Sequence, residues 1–523
     1  MRKRICFLGC LTAALLLALS GRLYYIQIVC GQALLSGAES QQEIKVQSRG
    51  SRGTIYDRNM VRLTDTGESL FYLIKNEENT EDAKKLLEQI GAEPAGHKGE
   101  DYIVYRAEDF HREISRKLAE EHGAYVFSAG SRYQDDQIAA HLIGYVSGAD
   151  KTGEAGLEKM FQYRLASPSV RLLMRGSGTG ELIKGIGLSE KKKQDALEPS
   201  GLVTTLDAGI QRKTEEILRE KEISGAVVVL DTATGQVLAM ASSPSFNPNS
   251  LESYLDSDGA ELLNKAVQGQ YPPGSVFKIA VAAAALESGK LTEETTFVCD
   301  GSITVNGVDL ICDHHPKGHG KVNFEEAFAK SCNGFFAAAA AEIGSETIIE
   351  MAQRLGLGQT VIDGFCDEAA GVFPEKEDRV YSGLANLAVG QGSLLATPLQ
   401  IARMTNIIAA NGIDYPISVV MKDSGSICGK RVMTESTARR VKKMMAKVCE
   451  SGTASSGTFS VQAAGKTGSA ESADRGTYTV HGWFTGFFPA DDPAYTVTVL
   501  AENGKTGSRS ALPVFEEIVN YLY

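Results

Sequence analysis

Gly225-Ala-Val-Val-Val-Leu230 runs through Thr232-Ala-Thr-Gly235 into Gln236-Val-Leu-Ala-Met240. Two β-rich apolar runs joined by small polar residues and a glycine predict a β-hairpin. A second hairpin pattern lies near the other end of the chain: His481-Gly-Trp-Phe-Thr-Gly-Phe-Phe488, a Pro-Ala-Asp-Asp-Pro turn, and Ala494-Tyr-Thr-Val-Thr-Val-Leu500. Ile210, Ile217 and Leu218 fit a helix before the first hairpin, and Pro513 to Leu522 fits a closing helix after the second. Between the hairpins the patterns are mostly helical and rich in Ala and Leu. This order predicts an α+β fold, with one antiparallel sheet whose first and last strands meet, flanked by helices.

Within that helical stretch, Pro272-Pro-Gly-Ser275-Val-Phe-Lys278 opens an apolar run, Ile279 to Leu286, that stops at Gly289. Ser275 is therefore expected in the first helical turn, where unpaired N–H groups and the helix dipole favour a developing oxyanion. Lys278, three residues on, shares its helix face and can reach the Ser275 hydroxyl as a general base. A Ser-x-x-Lys pair alone has little specificity, and Ser189-Glu-Lys-Lys192 repeats it in a charge run with no apolar helix behind it.

Two more elements follow in order, Ser331-Cys332-Asn333 and Gly465-Lys466-Thr467-Gly468-Ser469. Each has a decoy: Ser245-Phe-Asn247 reads as a proline-flanked loop and Lys505-Thr-Gly507 as a turn after the last strand. The ordered triple is a signature shared by class A β-lactamases and penicillin-binding proteins. Ser331 can relay a proton between Lys278 and a leaving amine, and Asn333 can orient a substrate amide. Lys466 and Thr467 offer a cation and a hydroxyl to a terminal carboxylate, while Gly468 lets a substrate strand approach the backbone. Backbone N–H groups of Ser275 and Ser469 are the expected oxyanion hole.

Further segments widen the likeness: Arg52-Gly-Thr-Ile-Tyr-Asp-Arg-Asn59, His141-Leu-Ile-Gly-Tyr145, Gly156-Leu-Glu158, Thr205-Leu-Asp207, Gly390-Gln-Gly392, Thr397-Pro-Leu-Gln400, Gly452-Thr-Ala454 and Trp483-Phe-Thr-Gly486. With these the chain resembles class B, monofunctional penicillin-binding proteins over nearly its whole length except roughly residues 65 to 130. The resemblance implies a serine β-lactamase/transpeptidase-like fold and D,D-transpeptidation, in which Ser275 attacks the D-Ala-D-Ala bond of a peptidoglycan stem peptide and a neighbouring stem amine resolves the acyl-enzyme. It also implies acylation by β-lactams, a membrane glycosyltransferase of the polytopic SEDS type as partner, and no cofactor. Cys332 stands where a β-lactamase usually carries Asp or Gly, and no Glu-x-x-x-Asn follows between Asn333 and Asn386, so a class A β-lactamase is disfavoured. A penicillin sensor, a scaffold that binds without cross-linking, and a hydrolytic carboxypeptidase are the competing functions.

The N-terminus reads Met1-Arg-Lys-Arg4, then no charge from Ile5 to Gly21, then Arg22 and Leu23 to Cys30. This predicts a single-pass anchor in the cytoplasmic membrane, lengthened past Arg22 if that side chain snorkels. The basic cluster places the N-terminus inside and the rest outside. A cleaved signal peptide is the rival reading, with Ala18-Leu19-Ser20 as its processing site. Expected domains are residues 1–30 as tip and anchor, 31–200 as a pedestal and 201–523 as the transpeptidase unit. Short amphipathic runs at Thr80 to Ile90 and Phe110 to Glu121 are helices of the pedestal, Gln42 to Gln47 is strand-like, and the charged, Gly-rich stretch from Gly176 to Gly201 is a linker.

The chain has 523 residues, is 43% hydrophobic and carries a net charge of -12 with its 53 basic residues scattered. That excludes disorder and argues against nucleic acid as a ligand. Six of nine cysteines lie beyond the anchor, too sparse for a disulfide-built scaffold. Cys312-Asp-His314-His315-Pro-Lys-Gly-His319 supplies four metal-ligand candidates, Cys312 and three histidines, without Cys-x-x-Cys spacing, so no metal is expected. A regulatory disulfide between Cys312 and Cys332 is a further expectation, since it would lock the motif around Ser331.

Overall fold

The computed structural model describes residues 2–30, 43–94, 102–107, 110–147, 152–175, 189–191, 201–255, 260–305, 308–380, 382–421, 427–474 and 477–523. Helix α1 (Arg2–Tyr24) continues through a wider turn, Tyr25–Val29, and its side chains are exposed from Arg4 to Val29. Arg4–Val29 is apolar and long enough to cross a bilayer.

Beyond it, β1 (Glu43–Arg52) pairs antiparallel with a later strand that returns from the far end of the pedestal region. Between them, β2 (Gly67–Lys75), β3 (Tyr102–Ala107) and β4 (Tyr125–Ser131) form a sheet in the order β3-β2-β4, with Glu93–Pro94 at its edge. Helices α2 (Glu81–Gln89) and α3 (Arg112–Glu121) bury Leu87 and Leu118 against Tyr72 and Ile74 of β2. Both helices fall where the amphipathic runs predict them; α2 starts where the Thr80 side chain accepts from the Ala83 N–H. The returning strand is β5 (Ala166–Arg175), which also pairs with Ser189–Lys191. The rest of the expected linker from 176 to 200, including Lys192 of the Ser-x-x-Lys decoy, lies outside the described residues.

The second half holds the five-stranded antiparallel sheet. Strand β6 (Gly225–Asp231) and β7 (Val237–Ser243) form the first hairpin. Two small hairpin-like pairs follow: β8 (Thr296–Cys299) with β11 (Gly320–Asn323), enclosing β9 (Ser302–Val305) with β10 (Val308–Ile311). Strands β12 (Ala464–Asp474), β13 (Thr477–Phe488) and β14 (Tyr495–Ala501) complete the main sheet in the order β7-β6-β14-β13-β12. The first and last strands meet, as expected: β6 pairs with β14 from Gly225–Ala501 to Asp231–Tyr495. Strand β12 is an addition to the two predicted hairpins. It leaves its outer edge open.

Strand alternation sorts the two sheet faces. On one face Phe484 and Phe488 pack on Phe515 of the last helix, with ring centroids 4.5 and 5.7 Å apart. On the other, Thr485 meets Thr405 Oγ1 at 2.7 Å and Thr498 Oγ1 at 2.6 Å. Helix α4 (Ala208–Glu220) covers the first face beside that last helix. The opposite face carries a helical layer: α5 (Lys278–Glu287), α6 (Phe324–Ala329), α7 (Asn333–Ile343), α8 (Pro398–Ala409) and α9 (Glu435–Ser451). The closing helix is α10 (Leu512–Leu522). Helix α5 is buried all round from Lys278 to Leu286, which is why its apolar run shows no polar face.

Segments that match the family pattern but carry no chemistry come together where the N-terminal half packs on the second half. Ile55–Tyr56 pairs in parallel with Leu202–Val203, and the Asp57 carboxylate accepts from the Ala208 N–H at 3.2 Å. Glu158, fully buried, accepts from Arg52 Nε at 2.8 Å, Arg132 Nε at 2.5 Å and the Tyr133 hydroxyl at 3.1 Å. Met60, in the turn after Asn59, sits at φ 66°, a left-handed backbone that glycine would take without strain.

Removing one partner of a buried ion pair leaves an uncompensated charge, a cost of about 3–5 kcal/mol. Glu158→Ala should therefore lower the unfolding free energy by that order, read by denaturant unfolding of the detergent-solubilised chain, whereas Glu154→Ala on the exposed side should change little.

Candidate functional site

The serine turn is built by its neighbours. Gly274–Phe277 forms a 3-10 turn ahead of α5, so Ser275 and Lys278 lie one above the other at the three-residue period of that turn. Ser275 thus stands in the first helical turn, and that turn is of the tighter 3-10 type. Gly274, at φ 56°, donates its N–H to Gly390 O at 2.8 Å. A Cβ on Gly390, itself at φ 70°, would stand 2.1 Å from Gly274 O, so the Gly390-Gln-Gly392 segment needs glycine to support the turn. The Thr397-Pro-Leu-Gln400 segment is a helix start: Thr397 and Gln400 form a capping box on α8. Trp483 Nε1 donates to Pro272 O at 3.0 Å and ties the turn to β13.

The second motif is a helix end followed directly by a helix start. Ser331 N donates to Phe328 O at 3.1 Å and Cys332 N to Ala327 O at 2.8 Å. That is a Schellman motif closing α6, with Ser331 at φ 56° in the left-handed position usually taken by glycine. Cys332 is extended and caps α7, whose first residue is Asn333.

Lys278, fully buried, donates to Ser331 O at 2.7 Å, to Ser331 Oγ at 3.1 Å and to Asn333 Oδ1 at 2.7 Å. The spacing predicts an amine reaching for Ser275; its hydrogen bonds among the described residues go to the second motif instead. Lys466, also fully buried, donates to the same Ser331 Oγ at 3.0 Å and to Thr467 O at 3.0 Å. Burial pushes the Lys278 amine down to about 8, opposed by the charge of Asp313 and by the thiols of Cys332 and Cys312. Lys466 is held well below the ordinary lysine value, by burial first and by the charge of Lys278 second. Two amines meet on one hydroxyl that has a single proton, so Ser331 can donate to one while accepting from the other. That is the geometry of a proton relay.

Lys466 to Ser469 lie on β12, with Lys466 opposite Thr485 and Gly468 opposite Trp483 on β13. The free edge of β12 faces a cleft of about 1120 Å³ lined by Ser275, Ser331, Asn333, Thr467, Gly468 and Ser469. An extended peptide can add to such an edge through main-chain hydrogen bonds. The Gly452-Thr-Ala454 segment supports this strand, since Thr453 Oγ1 lies 2.6 Å from Thr467 Oγ1. Sequence reading leaves Thr453 without a role, because the contact joins elements fourteen residues apart only through the fold.

The Lys505-Thr506-Gly507 tripeptide, read as a turn, does follow β14, yet Lys505 and Thr506 line the same cleft and Gly507 N donates to Ser469 Oγ at 3.2 Å. The Ser245 decoy lines a separate cavity beside Phe246 and Tyr254. Cys312 and Cys332 are adjacent, buried and unbonded, with sulfurs 4.0 Å apart. All ten predicted site residues are therefore gathered within one region.

The family described as penicillin binding protein transpeptidase domain matches residues 225–520. The peptidoglycan D,D-transpeptidase MrdA of Acinetobacter baumannii is 27% identical over 605 aligned residues, covering 98% of this chain and 87% of its own. A structure from a peptidoglycan synthase complex that coordinates polymerization and crosslinking superposes with a TM-score of 0.71 at 27% identity, covering 98% of this chain and 97% of that one. Penicillin-binding protein 3 of Mycobacterium tuberculosis complexed with aztreonam gives a TM-score of 0.67 at 25% identity, covering 91% and 96%.

Gly390→Ala tests whether the serine turn depends on its glycine support. The added methyl cannot be accommodated without moving Gly274, so reaction of Ser275 with an acylating probe should slow by about tenfold or more, and thermal stability should fall by roughly 1–3 kcal/mol.

Proposed function

The chain belongs to the penicillin-binding protein transpeptidase family, and on that premise we propose that Ser275 is the nucleophile with which this peptidoglycan D,D-transpeptidase cross-links stem peptides. The observation that carries the assignment is the pair of fully buried amines, Lys278 and Lys466, converging on Ser331 Oγ beside Ser275.

Neutral Lys278 takes the Ser275 hydroxyl proton as Oγ attacks the carbonyl carbon of the penultimate D-alanine. Backbone N–H groups of Ser275 and Ser469 hold the resulting oxyanion. The C–N bond breaks, Ser331 passes a proton to the departing D-alanine amine, and the acyl group stays on Ser275. An amine from a neighbouring stem then attacks the ester, gives up its proton along the same relay, and restores the serine. Thr467, with Thr453 behind it, recognises the terminal carboxylate, Lys466 acts from behind through Ser331 Oγ and the Thr467 carbonyl, and Gly468 and Ser469 pair with the donor backbone along the edge of β12. Asn333 orients the scissile amide. A β-lactam acylates Ser275 by the first half of the same sequence, its ring nitrogen remaining tethered as the leaving group.

Residues 201–523 form the catalytic unit in this reading and 31–200 the pedestal. Residues 1–30 anchor the chain in the cytoplasmic membrane through α1, with Arg2, Lys3 and Arg4 inside and the cleft outside. The partner is a polytopic membrane polymerase that supplies nascent glycan; the similarity to a chain of a peptidoglycan synthase complex supports this placement.

Labelling of the full-length chain with a fluorescent penicillin, followed by peptide mapping, should put the adduct on Ser275 and find none in Ser275→Ala; an adduct elsewhere would overturn the assignment. Since neutral Lys278 is the base, with Lys466, Asp313, Cys312 and Cys332 as the titratable groups facing it, acylation should rise with pH and level off above about 8. Lys278→Met should cost at least about 100-fold and abolish that profile. An unchanged rate across this range would remove Lys278 from the role.

A further inference from the structure

We infer that Cys299, Cys312, His319 and Cys332 form a tetrahedral site for a thiophilic divalent ion, Zn2+ by preference. Their ligand atoms all lie within 4.8 Å of one another. His319 Nδ1 faces Cys312 Sγ at 3.4 Å and Cys299 Sγ at 3.6 Å, and Cys312 Sγ stands 4.0 Å from Cys332 Sγ. Bond lengths of about 2.3 Å to sulfur and 2.0 Å to nitrogen put tetrahedral ligands about 3.8 Å apart for two sulfurs and about 3.5 Å apart for sulfur and nitrogen. The three separations given match three of the six edges, and the other three are bounded by 4.8 Å. Cys299, Cys312 and Cys332 are all free thiols in this structure, with the Cys312 and Cys332 sulfurs in contact but unbonded. Buried thiols packed as small apolar groups would not account for a histidine nitrogen aimed between two of them.

The four ligands come from four places. Cys299 ends β8, Cys312 follows β10, His319 precedes β11, and Cys332 caps α7. The loop between Cys312 and His319 is folded back tightly: Cys312 N donates to Gly301 O at 3.0 Å, Gly318 N donates to His314 O at 2.8 Å, and a Cβ on Gly318 would meet Cys299 O at 2.0 Å. This is not the local cluster that sequence spacing suggests. His314 and His315 are outside the ligand set, and Cys299 and Cys332 come from 13 residues before and 20 residues after Cys312. The expectation of no metal is reversed by that convergence.

Three soft thiolates and one imidazole in a tetrahedral array select Zn2+ over Mg2+ or Ca2+. Binding requires three thiolates and a neutral imidazole, which gives the site a net charge of about -1. Its position carries the consequence. Cys332 lies between Ser331 and Asn333, so an ion on its sulfur pins the left-handed Ser331 and the cap of α7. Cys312 belongs to the cleft wall with Ile311, Asp313 and His315. The ion thus clamps one wall of the cleft to the motif that holds both lysines. It is a positioning centre outside the reacting atoms.

Metal analysis of the full-length chain purified in detergent should find about one zinc per polypeptide. Replacing it with Co2+ should give thiolate-to-cobalt charge transfer in the near ultraviolet and the intense visible bands of a tetrahedral ion. Cys299→Ser, chosen away from the Ser331 motif, should lose most of the zinc and slow acylation. If that variant fails to fold, the Co2+ spectrum of the unaltered chain decides. A chain that holds no zinc and takes up Co2+ without thiolate bands would overturn the site, as would peptide mapping of a Cys312–Cys332 disulfide in the isolated protein. These readouts follow the metal directly, so they stand or fall apart from the identity of the nucleophile.

Discussion

The active cleft depends on one desolvated hydroxyl. Ser331 Oγ lies about equally far from two lysine amines, each sealed from solvent. Burying an ammonium without a counter-charge is expensive, and burying two side by side more so. Among the described residues no carboxylate pairs with either amine. The protein therefore lowers the proton affinity of both and gives them hydrogen-bond partners that work in either protonation state. A hydroxyl is such a partner, because it donates or accepts as required. The strained backbone at Ser331 follows from the same need: the carbonyl and the hydroxyl of one residue must both reach Lys278, and a left-handed helix end presents them together.

The rest of the chain holds that arrangement in register. The main sheet presents β12 edge-on to the cleft, and α5 brings Ser275 and Lys278 up from inside the helical layer. Gly390 and the Thr453–Thr467 contact brace the turn and the strand. Farther away, Glu158 gathers Arg52, Arg132 and Tyr133 into a buried junction, so segments that read as a family imprint without chemistry hold the N-terminal half together. The proposed centre of three cysteines and one histidine adds a third brace, on the side of Asn333.

Much of this is legible in sequence where local physics decides structure. Both hairpins, α4, α5 and α10, and the meeting of β6 with β14 follow from alternation, turn residues and apolar runs. The three motifs identify Ser275, Lys278, Ser331, Asn333 and the stretch Lys466 to Ser469 before any contact is visible. Strand β12 escapes because Ala464-Gly-Lys-Thr-Gly-Ser-Ala470 has no β-branched apolar run; pairing with β13 makes it a strand, not propensity. The pedestal sheet escapes similarly, its strands being short and mixed in polarity. Thr453, Lys505 and the cluster around His319 depend on contacts between distant segments. For the cysteines, local spacing groups Cys312 with His314, His315 and His319 and leaves out Cys299 and Cys332, because the proposed ligands are set by two small β pairs and a helix cap that sequence reading does not contain.

The most direct test of the account is mass spectrometry of the full-length chain during turnover of a D-Ala-D-Ala stem-peptide thioester, quenched before and after addition of an amine acceptor. The account predicts a peptide bearing the acyl group on Ser275, its loss when the acceptor arrives, and an amide-linked product in its place. Acylation at another residue, or release of the acyl group to water alone with no linked product, would contradict it.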